Sequence, residues 1–328
     1  EACEWTRRPV ARRWPALVNP LLPCFAIRVK VFLVRTPRIV HAFIALSLLL
    51  APRDISAGQD LVARALSTDE RRAPRSLLAD LEREADGLRG GSTPLDTLNA
   101  HFFGPSGFIP ISDPASVEGS SMVAVLENRR GTCVTLAIVY LSMARQLGLD
   151  AHAVATPVHV FVRVRLPDRV RNVELMEGGT ELDDDIYRRR YKIDQAAIDA
   201  GVFMRDLTDD DVIAHLLSNQ GVALSKQGKP KDALRRYRKA LRLHPQLPAA
   251  RYNAGIDLMS MGKLKKALAS FDEAISLHAA DAQAHNNRGL VKGKLGDRAG
   301  AEADFRLALQ LDPTLAEAER NLRRLSGR

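Results

Sequence analysis

A thiol, an imidazole and a carboxylate that can act together on an amide bond occur in that order at Cys133, His159 and Glu174. Cys133 precedes an apolar run, residues 134–147, that lacks a wide polar face and therefore predicts a buried helix. Thr132 is expected at the N-cap, so Cys133 falls in the first turn, where unpaired N–H groups and the helix dipole favour a thiolate. Because a thiol so placed can have a pKa of roughly 3.5–7.5, Cys133 is a candidate nucleophile; the alternative is a small buried hydrophobic residue.

After this helix the apolar residues alternate, which predicts strands. The predicted strands cover residues 152–156, 159–164 and 169–175. If residues 165–168 form a four-residue hairpin loop, Val162 lies opposite Arg171 and His159 lies opposite Glu174. Opposed residues have Cβ atoms about 4.5–5.5 Å apart, so the carboxylate can orient the ring and favour its charged form.

These three residues predict one mechanism, in which Cys133 attacks, His159 transfers protons and Glu174 orients His159. The alternatives are a half-buried strand histidine at His159 and a solvated strand carboxylate at Glu174. A zinc site formed by Cys133, His152 and His159 is a further option, although no fourth ligand with metal-type spacing is evident. The order of the three residues along the chain and the predicted strand register together favour the catalytic interpretation over these alternatives.

Several longer motifs surround these residues. They are Gly131-x-Cys133, Ala144-Arg145-x-Leu147-Gly148-Leu149, Pro157-Val158-His159-Val160-Phe161-Val162-Arg163 and Asn172-Val173-Glu174, with Leu95-x-x-Leu98-Asn99 upstream. Over residues 75–195 they resemble the bacterial transglutaminase-like superfamily, and within it the SirB-type branch. The resemblance implies a papain-like α+β fold with nucleophile, histidine and acid at Cys133, His159 and Glu174. It also implies thiol chemistry on amides, either hydrolysis or acyl transfer, with no cofactor.

The C-terminal part of the chain repeats with a period of 34 residues. The equivalent positions are Gly221, Gly255, Gly289; Gly228, Gly262, Gly296; Ala233, Ala267, Ala301; Tyr237, Phe271, Phe305; and Ala240, Ala274, Ala308. The pattern resembles tetratricopeptide repeats and predicts three helix pairs followed by a polar capping helix at residues 316–325. Because glycine inside a helix costs roughly 0.8–1 kcal/mol, glycines in register predict close helix contact, with the aromatic residues filling the gap.

The concave groove of these repeats is a candidate binding surface. It is expected to present Ser218, Val222, Tyr252, Ile256, Met259, Asn286 and Leu290. Asn219, Asn253 and Asn287 occupy equivalent positions and either hydrogen-bond an extended peptide or tie neighbouring repeats together. The groove is mixed rather than basic, which favours a protein or peptide partner over nucleic acid.

The net charge of +9 is concentrated at the start of the chain. Residues 1–57 carry nine Lys and Arg against three Asp and Glu, which leaves only +3 for the remainder and argues against a nucleic-acid footprint. A basic region, an apolar run at residues 42–50 and small residues at 55–57 predict a signal peptide. The run is too short to span a bilayer, so we expect no membrane span after cleavage and export to the periplasm or medium. The alternatives are an uncleaved anchor and a mistranslated leader, and the latter would indicate a cytoplasmic protein.

The predicted organisation is therefore a leader at residues 1–57, an α+β papain/transglutaminase-like domain at 58–200 and an all-α tetratricopeptide-repeat solenoid at 205–328. The segment Tyr187–Tyr191, which contains three arginines, indicates a solvated helix face more than a substrate entrance. The predicted function is a thiol-dependent amide or peptide hydrolase, or acyl transferase, coupled to protein-binding repeats. The alternative is a non-catalytic adaptor, which a buried Cys133 or a Glu174 turned away from His159 would favour.

Overall fold

The computed structural model describes residues 55–91 and 93–327. The predicted signal peptide lies outside the described residues, apart from residues 55–57, which begin the first described helix. In the described ranges no helix combines the length and apolarity needed to cross a bilayer.

The first part of the chain folds as helices around a small sheet. Its helices are α1 (Ile55–Leu66), α2 (Arg75–Gly87), α3 (Pro94–Phe102), α4 (Val117–Ser120), α5 (Met122–Asn128), α6 (Cys133–Gln146), α7 (Asp184–Arg190) and α8 (Gln195–Asp199). Its strands are β1 (Ile109–Pro110), β2 (Arg130–Gly131), β3 (Asp150–Ala155), β4 (Val160–Arg165), β5 (Val170–Glu174) and β6 (Thr180–Glu181). β1 and β2 pair in parallel, and β3 to β6 form an antiparallel sheet in chain order.

Helix α6 is the centre of this domain, as its apolar sequence predicts. Side chains on all of its faces are buried, including Leu136, Ile138 and Tyr140. Burying each such side chain stabilises the fold by about 1.5–3 kcal/mol. The helix ends at Gln146, and Gly148, two residues later, has a φ of +78°, the left-handed conformation that favours glycine after a helix. Packing therefore fixes the position of Cys133, the first residue of α6.

The hairpin between β4 and β5 differs from the predicted register by two residues. Val162 pairs with Val173 rather than Arg171, because the turn is tighter than predicted. The Leu166 N–H donates to the Arg169 carbonyl at 2.8 Å, which closes a two-residue turn. Since side chains alternate with a period of two, a shift of two residues leaves each one on its predicted face.

The sheet extends beyond the predicted strands. β6 follows the turn after β5 and adds a fourth strand to the antiparallel sheet, while β1, within residues 104–116, belongs to the separate two-stranded sheet with β2. At the outer edge of β3, the Met204 N–H donates to the Ala155 carbonyl at 2.9 Å and the Leu207 N–H to the Ala153 carbonyl at 2.8 Å. The sheet therefore continues past residue 200, where the first domain was predicted to end.

The predicted repeats form successive antiparallel helix pairs. These helices are α9 (Asp209–Lys226), α10 (Pro230–Leu243), α11 (Pro248–Ser260), α12 (Leu264–Leu277), α13 (Ala282–Lys294) and α14 (Arg298–Leu311), followed by the capping helix α15 (Ala316–Leu325). A Cβ atom added at Gly255 would lie 2.7 Å from Cε1 of Phe271, and Gly221 and Gly289 meet Tyr237 and Phe305 in the same way. The predicted close contact between glycines and aromatic rings is therefore confirmed.

The first repeat packs directly onto the α+β domain. One hydrophobic core contains Leu61 of α1, Ile138 of α6, Leu216 of α9 and Tyr237 of α10, all buried. Arg145 of α6 also forms an ion pair with Asp209 of α9, at 2.9 Å. Residues 55–91 and 93–327 accordingly belong to one compact unit.

Candidate active site

Three elements bring the predicted catalytic side chains together. Cys133 begins α6, His159 directly precedes β4, and Glu174 ends β5. His159 Nε2 lies 2.9 Å from Oε1 and 2.8 Å from Oε2 of Glu174. Because Nε2 faces the carboxylate, Nδ1 is the ring nitrogen left for the thiol of Cys133, which lines the same cavities as His159.

The surroundings of His159 favour its charged form. Its side chain is 9% exposed. Burial lowers the pKa of His159, but hydrogen bonding and charge interactions with Cys133 and Glu174 outweigh this effect and raise it to about 9. An imidazolium is therefore the expected state at neutral pH.

Glu174 is held by more than His159. The backbone N–H of Met176 donates to Oε1 at 2.9 Å, and the hydroxyl of Tyr187 donates to Oε2 at 3.0 Å. Burial raises the pKa of Glu174, but the hydrogen bonds and the nearby His159 lower it by more, so the pKa lies below its usual range. The carboxylate is therefore charged and fixed in orientation.

Helix α7 contributes to the site rather than presenting a solvated face. Tyr187 is fully buried. The ring of Tyr191 stacks beside the ring of His159, with centroids 5.8 Å apart. The prediction for Tyr187–Tyr191 was therefore wrong for its two tyrosines. Their i, i+4 spacing, which places both on one helix face, was the available signal.

The start of α6 has no side-chain cap. Thr132 occupies the predicted N-cap position, but its hydroxyl donates to the Gly119 carbonyl at 3.3 Å instead of accepting from the helix. Thr132 is thus the N-cap by position only. The first N–H groups of α6, beside the thiol of Cys133, are left for another acceptor.

The thiol opens into a cleft between the α+β domain and the repeats. The cleft has a cavity volume of about 500 Å³ and is lined by Cys133, Val158 and His159 on one side and by repeat residues on the other. A smaller cavity of about 210 Å³ reaches Cys133 and His159 from the side of Ile111. Cys133 is half-buried and Val158, at the rim, is 77% exposed. The candidate site is therefore open to a ligand.

Four of the seven predicted partner-binding residues line this cleft, namely Asn219, Val222, Tyr252 and Asn253. The other three do not. Asn287 donates to the hydroxyl of Tyr252 at 2.9 Å, so it ties the second and third repeats together. Ile256 packs against the buried cluster that contains Phe271, and Leu290 is half-buried outside the cleft lining.

Ser218 and Asn286, also predicted in the groove, are buried, so that prediction was wrong. Sequence reasoning missed two other residues, His215 and His278, which line the cleft from the repeats. No local pattern marks them, because their approach to Cys133 depends on how the repeats dock.

The residues present do not fit the zinc alternative. His152, one of its three ligands, points to Asp150, with Nε2 at 2.7 Å from Oδ1. In residues 55–91 and 93–327, no group of three or more His, Cys, Asp and Glu side chains is arranged to hold a metal ion.

Comparisons with known proteins agree with this architecture. The family model described as "Transglutaminase-like superfamily" matches residues 62–218. Tetratricopeptide-repeat models match residues 214–247, 257–296 and 282–315.

Two curated relatives are UPF0162 proteins from Xylella fastidiosa. The protein from strain 9a5c is 32% identical over 68 residues, or 21% of this chain and 24% of the relative. The protein from strain Temecula1 is 33% identical over 66 residues, or 20% and 24%. The matched region thus spans about a quarter of the length of these relatives.

Among solved structures, the first repeat domain of Spaghetti (RPAP3) bound to an HSP90 peptide is 27% identical. That match covers 35% of this chain and 90% of the other, with a TM-score of 0.34. The Arabidopsis OM64 repeat domain is 22% identical over 36% of this chain and 98% of the other, with a TM-score of 0.35. From the family matches, the chain carries a domain of the transglutaminase-like superfamily at residues 62–218, followed by tetratricopeptide repeats through residue 315.

Proposed function

We propose that this protein is a thiol-dependent amide or peptide hydrolase whose nucleophile is Cys133. The main support for this proposal is the position of His159. Both carboxylate oxygens of Glu174 contact its ring, and it lines the same open cleft as the half-buried thiol of Cys133. The match of residues 62–218 to the family model described as "Transglutaminase-like superfamily" supports the proposal.

In this proposal Cys133 Sγ attacks the carbonyl carbon of an amide while His159 is protonated. The C–N bond breaks as His159 gives its proton to the leaving amine, and a thioester remains on Cys133. Water then attacks the thioester, and His159 accepts its proton as the acid product leaves. An amine in place of water would give acyl transfer by the same steps.

The uncapped start of α6 supplies a site for the developing oxyanion. The backbone N–H of Cys133 lies in the first turn, where no side chain caps the helix. Fixed N–H donors of this kind stabilise a tetrahedral intermediate because they need no reorientation during the reaction.

The adaptor alternative predicts a buried thiol or a diverted carboxylate. Cys133 instead lines a cleft and Glu174 faces His159, so the geometry favours the enzyme. The repeats serve in either case to bind a protein or peptide, and their groove residues Asn219 and Asn253 share the cleft with Cys133.

The first test is the pH dependence of Cys133 alkylation by iodoacetamide in the full chain. Mass spectrometry of the peptide that contains Cys133 separates it from Cys3 and Cys24. We expect rapid labelling near neutral pH and a drop of at least about tenfold in His159→Ala, because the imidazolium that favours the thiolate is lost. His152→Ala, which removes an imidazole paired with Asp150, is the matched control. Equal labelling in all three proteins, with the pH profile of a free thiol, would refute the proposal.

A further inference from the structure

The repeats form the second wall of the cleft that holds Cys133. Asn219 comes from α9 of the first repeat, Asn253 from α11 of the second, and His278 from the C-terminal end of α12. With His215, also on α9, these residues are here called the repeat wall. Because these residues and the thiol line one cavity, the repeat wall borders a ligand that reaches Cys133 through this cleft.

The repeat wall carries polar atoms that no neighbour satisfies. In the part of the chain that the structure describes, Nε2 of His215 and Nε2 of His278 are buried without a hydrogen-bond partner. The whole of His278 is only 7% exposed, and its nearest carboxylate oxygen, on Asp194, is 4.0 Å away. A buried polar group without a partner costs about 1–3 kcal/mol, so two that border one cavity indicate a ligand that supplies the partners.

The chemistry of the repeat wall is neutral. Burial, together with the nearby His244, lowers the pKa of His215 to about 4, and burial also lowers the pKa of His278. Each ring is therefore uncharged at neutral pH and offers one donor and one acceptor nitrogen, and the amides of Asn219 and Asn253 likewise both donate and accept.

The charged residues of the cleft do not form a cationic cluster. Among the lining residues, Nζ of Lys192 lies 3.8 Å from Oδ1 of Asp312, and Asp281 adds a second carboxylate. A carboxylate or phosphate ligand would need grouped Arg or Lys side chains. The main chain of a polypeptide, with alternating N–H and C=O groups, matches neutral side chains that both donate and accept.

The two walls are held at a fixed separation. Gln220 of α9 donates to Asp69 at 3.1 Å, and Lys226 of α9 donates to Asp113 at 3.0 Å. These contacts add to the continuous core beneath them. A preformed cleft loses little free energy to reordering when it binds a ligand.

We propose that the repeat wall binds the main chain of an extended polypeptide segment and presents one of its amide bonds to Cys133. The inference rests on the proposed function and narrows its substrate to flexible segments of proteins or to peptides. Asn219, Asn253, His215 and His278 are then positioning residues for the substrate.

The test compares the rates at which two electrophiles, which carry the same iodoacetamide group, alkylate Cys133. The first is iodoacetamide, and the second is a pool of mixed-sequence heptapeptides with an iodoacetamide group on a central lysine side chain. The ratio of their alkylation rates at Cys133 measures peptide recognition separately from thiol reactivity. We expect the wild-type ratio to exceed ten and to fall at least fivefold in Asn219→Ala/Asn253→Ala. Gln227→Ala removes an exposed amide at the end of α9, outside the cleft, and should keep the wild-type ratio.

The outcomes separate the two proposals. Rapid alkylation by iodoacetamide with no preference for the peptides, or a ratio unchanged in the double variant, would overturn the inference alone. A thiol that reacts with neither reagent faster than free cysteine would overturn the proposed function and the inference with it.

Discussion

Glu174 determines the charge of His159 because its two oxygens both lie within 2.9 Å of the ring nitrogen Nε2. The carboxylate is 1% exposed, so water does not screen the pair. A buried ion pair is stable only when further hydrogen bonds satisfy its remaining atoms. Met176 and Tyr187 supply these bonds to Glu174.

Glu174→Gln is therefore expected to lower the pKa of His159 from about 9. A neutral amide keeps the size of the side chain but removes the charge that favours imidazolium. In the wild type the ring keeps its proton until the pH approaches 9. In the variant it loses the proton at lower pH, so the alkaline limit of catalysis moves down as well. Histidine NMR titration measures this shift.

Glu181→Gln is the control for this titration. Glu181 is a strand glutamate that pairs with Arg171, so its neutralisation should leave the pKa of His159 near 9. A His159 pKa in Glu174→Gln that equals or exceeds the wild-type value would contradict the assigned role of Glu174.

At the scale of residues, the sequence predicts those positions that follow from the local periodicity of a helix or a strand. Helical and strand patterns placed Cys133 at a helix start and His159 near Glu174. The hydroxyl of Tyr187 and the ring of Tyr191 reach the site from beyond β6. Local periodicity could not predict these contacts, because they join residues that belong to separate elements.

At the scale of elements, the predicted register of the β4–β5 hairpin was wrong, yet the predicted contact between His159 and Glu174 is present. A four-residue loop and a two-residue turn at Pro167-Asp168 differ by two residues in pairing. Both place the valines of β4 on the core face, so burial alone does not distinguish them. Glu174 lies one residue beyond the last pair of the ladder and His159 lies three residues beyond it, so both point to the same face of the sheet and His159 can reach Glu174.

The glycines of the repeats give a prediction at the same scale. Gly255→Ala should lower the free energy of unfolding by about 1–3 kcal/mol, because its Cβ would lie 2.7 Å from the buried ring of Phe271. The gain in helix propensity, about 1 kcal/mol, offsets only part of that strain. Urea unfolding measures the change.

Gly293→Ala provides the matched control in α13. Its Cβ would meet only the Cβ of Ala301, at an ordinary 3.7 Å. This variant should therefore be stabilised by up to about 1 kcal/mol. Two substitutions of one type are thus expected to have opposite signs, and equal effects would show that ring contact does not select glycine at Gly255.

At the scale of the whole molecule, the cleft exists because the first repeat docks on α6. The 34-residue period predicts the helix pairs but not this docking. One signal was present, since Leu217 stands where the second repeat has Arg251. Leu217 is buried in the core that α9 shares with α1 and α6, so an apolar residue at this position lets the first repeat cover the α+β domain.

Leu217→Ala should therefore destabilise both parts of the molecule together. Leu217 is 5% exposed within the core that joins α9 to α1 and α6, and a buried Leu→Ala change costs about 2–5 kcal/mol. Hydrogen exchange should become faster in α6 and α9 alike, because they share that core. Leu309→Ala, which alters the separate cluster of the third repeat, should affect α14 and α15 but not α6. If Leu217→Ala loosens only α9 and α10, the repeats unfold independently, and the cleft wall opposite Cys133 is movable rather than fixed.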